Sequence, residues 1–262
     1  MWRIGALLAG AIVGSFLTTV IERLPLEEQF LRGRSRCARC GMRLTPRDLV
    51  PLFSFLTSRG HCRHCGAPIP WWHLAVEVAT PVLFILAVAL SPNPSLVDQL
   101  SRWMLLALLL ALTVIDLRTL QLPDSLVAAT AVVGALRSLA LQHPPFPDAV
   151  LGGSVGLFLI GLLALLPWRR AINGADRAPT TAMGLGDAKL AGAMGLTLGL
   201  QGLLAALLVA FVAGGLVAGL LLLSKRATLK SRIPFGPFLA GATALLLVVR
   251  ELPEIFFRLA GF

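Results

Sequence analysis

The run from Leu203 to Leu223 reads LLAALLVAFVAGGLVAGLLLL, without a charged side chain anywhere along it. As a helix rising about 1.5 Å per residue it would extend roughly 31 Å, the thickness of a bilayer's hydrocarbon core. Similar apolar blocks recur on both sides of it. The sequence predicts spans over 4–22, 74–90, 103–117, 124–141, 149–168, 184–200, 203–223 and 235–250. The expected fold is therefore an all-α polytopic membrane protein with about eight transmembrane helices.

Composition points the same way. Of 262 residues, 56% are hydrophobic and only 14% charged, with a mean hydropathy of +0.82. A soluble domain carries roughly 25% charged residues, so this chain lacks the surface to stay dissolved in water. The net charge of +10 would suit a nucleic-acid partner, but Lys and Arg also collect in the cytosolic loops of multi-spanning proteins. Sorting them by predicted loop puts eighteen on the side of loop 23–73 and five (Arg3, Arg102, Arg137, Arg250, Arg258) on the other. That asymmetry places loop 23–73 in the cytosol, puts both termini outside, and accounts for the basic charge without nucleic acid. The first apolar run, Ile4 to Ile21, is longer than the core of a secretory signal and lacks a small-residue cleavage pattern after it, so it reads as a retained helix. The expected organisation is a first helix (1–22), a cytosolic four-cysteine loop (23–73) and a helical bundle (74–262).

Within that loop, Cys37-Ala-Arg-Cys40 and Cys62-Arg-His-Cys65 form two C-x2-C pairs. Each pair can turn both sulfurs toward one centre, and two pairs close a tetrahedral four-thiolate site with no position left for substrate. Gly41 and Gly66 follow the pairs where such a turn needs positive φ. Disulfides are disfavoured in a reduced cytosolic loop, and a redox dithiol needs only one pair. Structural zinc on Cys37, Cys40, Cys62 and Cys65 is the expectation, with His61 and His64 left outside a shell that is already complete.

Acidic side chains inside apolar spans are costly and therefore informative. Glu22, at the end of the first span, reads as a salt-bridged helix end, and Glu77 as a hydrogen-bonded structural carboxyl. Asp116 ends the third span, while Asp187 opens the sixth behind Gly184-Leu-Gly186. Both fall at the cytosolic face, where two carboxyls sharing a proton can divide acid and base roles. Gly184 and Gly186 would leave room for an extended peptide beside Asp187. Asp124 follows Pro123 and suits the first turn of a helix, a capping duty; Lys189 lies two residues beyond Asp187. These are supporting residues, and Asp116 with Asp187 is the expected catalytic pair.

The chain resembles the bacterial type IV prepilin peptidases, the leader peptidase/N-methyltransferase family of GxGD-type membrane aspartic peptidases. Gly14-Ser-Phe-Leu-Thr-Thr-Val-Ile-Glu-Arg-Leu-Pro25, the two cysteine pairs, Ile115-Asp-Leu-Arg-Thr-Leu-Gln-Leu-Pro-Asp124, Met183-Gly-Leu-Gly-Asp-Ala-Lys189 and Ile233-Pro-Phe-Gly-Pro-Phe-Leu239 match the family's motifs in order. The resemblance implies an inner-membrane protease with its active site facing the cytosol. Its substrates would be type IV prepilins and type II secretion pseudopilins, cut after the Gly that ends a short basic leader. It implies Asp116 and Asp187 as the catalytic pair, the cysteines as metal ligands, and methylation of the new N-terminus from S-adenosylmethionine. Thr18 stands where many members have Asn, and His61 where some have a Lys linked to methyl transfer. No glycine-rich turn after a strand marks a methyl-donor site. The competing readings are another GxGD intramembrane protease, against which the cytosolic knuckle speaks, and a transporter or assembly scaffold, which would place its acids nearer mid-membrane.

Overall fold

The computed structural model describes residues 2–27, 29, 36–37, 39–43, 45, 53–91, 94–165, 183–226 and 233–249. Among these, regular structure is helical, apart from two isolated β-bridges. The chain divides into two compact units, Met1–Pro94 and Ser95–Phe262.

The first unit contains α1 (Trp2–Arg23), a 3-10 turn at Leu24–Leu26, the short α2 (Phe53–Thr57) and α3 (Trp71–Ala89). Pro25 follows α1 closely and cannot continue it. Helices α1 and α3 pack through small residues: a side chain on Gly10 would meet the backbone of Pro81 at 2.8 Å, and one on Gly14 would meet Glu77 at 3.2 Å. Close backbone approach of this kind is how apolar helices associate where burial from water supplies no drive. Glu22 closes the pair, its carboxylate 2.9 Å from His73 Nε2.

The second unit contains α4 (Leu96–Thr119), α5 (Asp124–Leu141), α6 (Phe146–Leu165), α7 (Leu185–Leu223) and α8 (Gly236–Val248). Helix α4 begins seven residues before the expected start at 103. Ser95 Oγ caps it by accepting from the Asp98 N–H at 3.2 Å. The charges that hydropathy counted against this turn neutralise one another inside the protein. Asp98 accepts from Arg102 Nη2 at 3.1 Å and from Arg137 Nη2 of α5 at 2.9 Å. Arg137 also donates to the His143 carbonyl at 2.9 Å, which ties the α5–α6 connection to the same knot. All three charged residues are buried.

Helix α7 holds both predicted spans 184–200 and 203–223, joined at Gly199, whose φ of 72° and ψ of −178° are not helical. That backbone conformation is open to glycine and closed to most other residues. The Leu200 N–H, freed by the break, donates to Asp148 Oδ2 at 3.3 Å. Gly152 of α6 lies against Gly195 and Gly199, and Gly156 against Ala191, so α6 runs antiparallel to the first segment of α7. Beyond the break the Leu203 side chain reaches Gly156, and Gly214 lies against Phe235 and Phe238 at the start of α8. The second segment thus runs back toward the end where the first began.

Among the described residues, six helices are long and apolar enough to cross a membrane, against about eight expected. The difference comes from α7, counted once across its break, and from α8, whose 13 residues rise only about 20 Å. Large apolar side chains such as Phe158 and Leu220 are exposed on the outer surface, as lipid contact requires.

Candidate active site and metal centre

Helix α4 delivers Asp116 in its last turn. Thr119 Oγ1 donates to the Ile115 carbonyl at 2.9 Å, and Leu120, in the left-handed conformation, returns its N–H to the Asp116 carbonyl at 2.9 Å. Helix α7 delivers Asp187 in its first turn. The Asp187 N–H donates to the Gly184 carbonyl at 3.1 Å, and the Asp187 carboxylate accepts from the Gly184 N–H at 3.2 Å. The two carboxylates are 5% and 9% exposed by residue and close enough for their charges to interact. Both predicted acids are therefore brought together in a nearly dry place.

Two further residues build this site, and their roles were not read from sequence. Gly236 opens α8 with its N–H toward the Asp116 carboxylate; a Cβ there would fall 2.6 Å from Asp116 Oδ2 and 3.1 Å from Leu122 Cδ2. Leu122 in turn fills the space at Gly186, where a Cβ would fall 3.1 Å from its own Cβ. The signal for Gly236 was present in the Ile233–Leu239 motif, but nothing in that motif says which carboxylate it faces. The two glycines before Asp187 also separate in role. Gly184 is exposed, and a Cβ there would make ordinary contact with Asp187 Oδ2 at 3.5 Å, whereas Gly186 lies tight against Leu122.

Asp124 is the first residue of α5, an acid in the helix's first turn as expected, and its carboxylate is also drawn into a contact between helices. Both its oxygens accept from Lys189 Nζ at 2.7 Å, in a pair that is largely exposed. The pair links the first turn of α5 to that of α7, two residues from Asp187.

In the first unit, the Sγ atoms of Cys37, Cys40, Cys62 and Cys65 lie within 4.8 Å of one another, and Cys37 Sγ is 3.9 Å from Cys65 Sγ. All four are free thiols. The two knuckles repeat one backbone pattern. The Cys37 N–H donates to Met42 O at 2.9 Å and the Cys62 N–H to Ala67 O at 2.8 Å; the Gly41 and Gly66 N–H groups return to Cys37 O and Cys62 O at 2.9 Å. Gly41 and Gly66 take φ of +67° and +68°, the positive values expected of them. The N–H groups of Cys40 and Arg39 aim at Cys37 Sγ and hold its thiol down to about 6, and those of Cys65 and His64 lower the Cys62 thiol likewise. A tetrahedral Zn–S4 centre with bonds of about 2.3 Å needs sulfurs about 3.8 Å apart, so the donor set fits a metal of this kind. Neither His61 nor His64 belongs to the cluster; His61 Nδ1 lies 2.7 Å from the Arg59 carbonyl.

Comparison with known proteins gives both halves a counterpart. Residues 8–91 match the bacterial peptidase A24 N-terminal domain, and residues 103–219 match the type IV leader peptidase family. A prepilin leader peptidase/N-methyltransferase of Burkholderia pseudomallei (strain 1026b) is 33% identical, over 91% of this chain and 82% of its own length. The chain belongs to the type IV leader peptidase family. Proteins of the same description from Dickeya chrysanthemi (32% identical, 96% of this chain and 94% of the relative) and Klebsiella pneumoniae (36%, 80% and 91%) agree. No solved structure matches. The N-terminal match coincides with the unit that carries the thiol cluster, and the leader peptidase match contains Asp116, Asp124, Asp187 and Lys189.

Proposed function

We propose that this chain is a membrane aspartic endopeptidase of the bacterial inner membrane. It cuts the leader from type IV prepilins and type II secretion pseudopilins at the cytosolic face and methylates the N-terminus it exposes. The observation that carries the reading is the meeting of two nearly buried carboxylates, Asp116 and Asp187, in a chain whose relatives are named for this activity. A scaffold or transporter needs no such pair at the ends of two helices, and the thiol cluster is unexplained by other GxGD proteases.

Two carboxylates held together in a low dielectric share one proton. The ionised member takes a proton from a water, whose oxygen attacks the scissile carbonyl carbon. The protonated member gives its proton to the carbonyl oxygen. Collapse of the tetrahedral intermediate breaks the C–N bond as the proton taken from water passes to the leaving amine and a hydroxyl proton of the intermediate returns to the other carboxylate, so each turnover restores the single shared proton. Gly184 adds no side chain beside Asp187, while Gly236 and Leu122 pack about the Asp116 carboxylate. Cys37, Cys40, Cys62 and Cys65 would hold zinc, which supplies a cross-link between the knuckles and no open coordination position. S-adenosylmethionine is the proposed methyl donor and is consumed as a co-substrate.

Co-expression with a prepilin tests both activities. Mass spectrometry of the product should show the leader removed and one methyl on the new N-terminus. An uncut precursor in the presence of folded protein sinks the peptidase reading; a cut but unmethylated product sinks only the second activity.

A further inference from the structure

The two cysteine knuckles carry a surface of guanidinium groups. From Arg36 to Gly66 the sequence has six Arg and a single acid, Asp48. A zinc ion held by four thiolates bears two negative charges, so the segment keeps about three positive charges in excess. Arg36, Arg39, Arg43 and Arg59 are exposed, and among the described residues none of their side chains makes an ion pair or hydrogen bond. Arg36 and Arg43 stand opposite one another on an antiparallel bridge, where like charges are destabilising. Membrane orientation does not require that arrangement. It depends on Lys and Arg and little on Asp and Glu, so acids could pair with these arginines without changing the side on which the loop lies.

Local hydrogen bonds set the distance of this surface from the bilayer. The Ile69 N–H donates to the Gly60 carbonyl at 2.7 Å, and His61 bridges to Pro68. Arg59 therefore adjoins a residue bonded two positions before Trp71, and two extended residues span only about 7 Å. Trp71 opens α3 and is 77% exposed; an indole at the end of an apolar helix sits at the level of the lipid headgroups. Arg59 itself holds a φ of 54°, a conformation that residues other than glycine adopt rarely.

We infer that the arginine face of the knuckles docks on anionic phospholipid headgroups of the leaflet it borders, with Arg59 at phosphate level beside Trp71. A guanidinium fork matches phosphate oxygens. Each excess charge near an anionic surface is worth about fivefold, so three favour anionic over neutral headgroups by about 10²-fold. A nucleic acid would be repelled by the same leaflet, and a basic peptide by the arginines. The inference is independent of the peptidase reading.

Photo-crosslinking of the whole chain tests it, in nanodiscs that mix phosphatidylcholine with a minor share of phosphatidylglycerol. A benzophenone side chain replaces Trp71 or, as a control, Phe158, which is exposed on α6. Mass spectrometry of the lipid adducts from position 71 should find phosphatidylglycerol enriched at least about tenfold over its bulk share. Position 158 should report the bulk share. The bulk share at position 71, or equal enrichment at both positions, overturns the inference. The triple variant Arg36→Gln/Arg43→Gln/Arg59→Gln keeps all four thiols and should return position 71 to the bulk share with unchanged thermal unfolding; enrichment that survives it overturns the inference. Salt gives a measurement that needs no variant. At about 1 M the screening length is about 3 Å, so the wild-type enrichment should vanish, and its persistence is equally fatal. Inorganic phosphate added at fixed ionic strength should leave the enrichment in place. If phosphate removes it, the arginines take a soluble anion and the lipid assignment fails.

Discussion

Replacing Gly236 with alanine presses directly on Asp116. The added Cβ falls 2.6 Å from Asp116 Oδ2, whereas ordinary contact begins at 3.4 Å, so something must move by about 0.8 Å. The nearest atom is the tip of a rotatable side chain, and the carboxylate yields more cheaply than the α8 backbone. Folding should therefore suffer by no more than the 1–3 kcal/mol of a modest overpacking. Catalysis has no such slack. Displacing a reacting group by about 1 Å costs on the order of 10²-fold in rate, so prepilin cleavage should fall by roughly that factor at equal amounts of folded enzyme. Gly241→Ala on the same helix is the control. Nothing lies within 4 Å of the added methyl there, and removing a helical glycine stabilises by about 0.5–1 kcal/mol. Cleavage of a synthetic prepilin in detergent, with thermal unfolding followed on the same preparations, separates the two effects. If Gly236→Ala is folded and cleaves within about threefold of wild type, Asp116 does not act from beside Gly236.

Four further outcomes follow from the same geometry. Asp116→Asn and Asp187→Asn should each abolish cleavage of a prepilin in membranes, because an amide cannot exchange the shared proton; Asp124→Asn should lose only a few-fold, since an exposed ion pair contributes about 1 kcal/mol or less. The opposite ranking would make Asp124 the partner of Asp187. Metal analysis should find about one zinc per chain, and Cys40→Ser should release it and raise protease sensitivity around residues 37–65 before the helices unfold; zinc retained by that variant would exclude the four-thiolate site. Asp98→Asn leaves the buried Arg102 and Arg137 without their shared carboxylate, so thermal stability in detergent should fall by about 3–5 kcal/mol. Cleavage per folded molecule should persist, because Asp98 lies roughly 27 Å along α4 from Asp116; loss of cleavage without loss of stability would contradict this. Ser224→Cys, in a chain lacking the native cysteines, should resist an impermeant thiol reagent in intact cells, and labelling from outside would reverse the proposed orientation.

The class of fold was legible because hydrocarbon thickness imposes a length on every span, and runs such as Leu203–Leu223 satisfy it with no help from neighbours. The cysteine knuckles were legible for a similar reason: a C-x2-C turn and the glycine after it are local, so spacing alone prescribes Gly41 and Gly66. Asp116 and Asp187 stood out because an acid at the end of an apolar run needs a reason to be there. What the sequence did not carry were interactions between segments distant along the chain. Hydropathy placed the start of α4 too late because Asp98 and Arg102 are charges to a window that cannot see Arg137. The second duty of Asp124 was hidden because the Lys189 that takes both its oxygens is 65 residues away. Gly199 was one small residue among many until the packing of α6 made it the point of reversal in α7. Local rules bind residues a few positions apart, whereas the neighbours of Asp116, namely Asp187, Leu122 and Gly236, are set by how α4, α7 and α8 come together, and only the tertiary structure decides that.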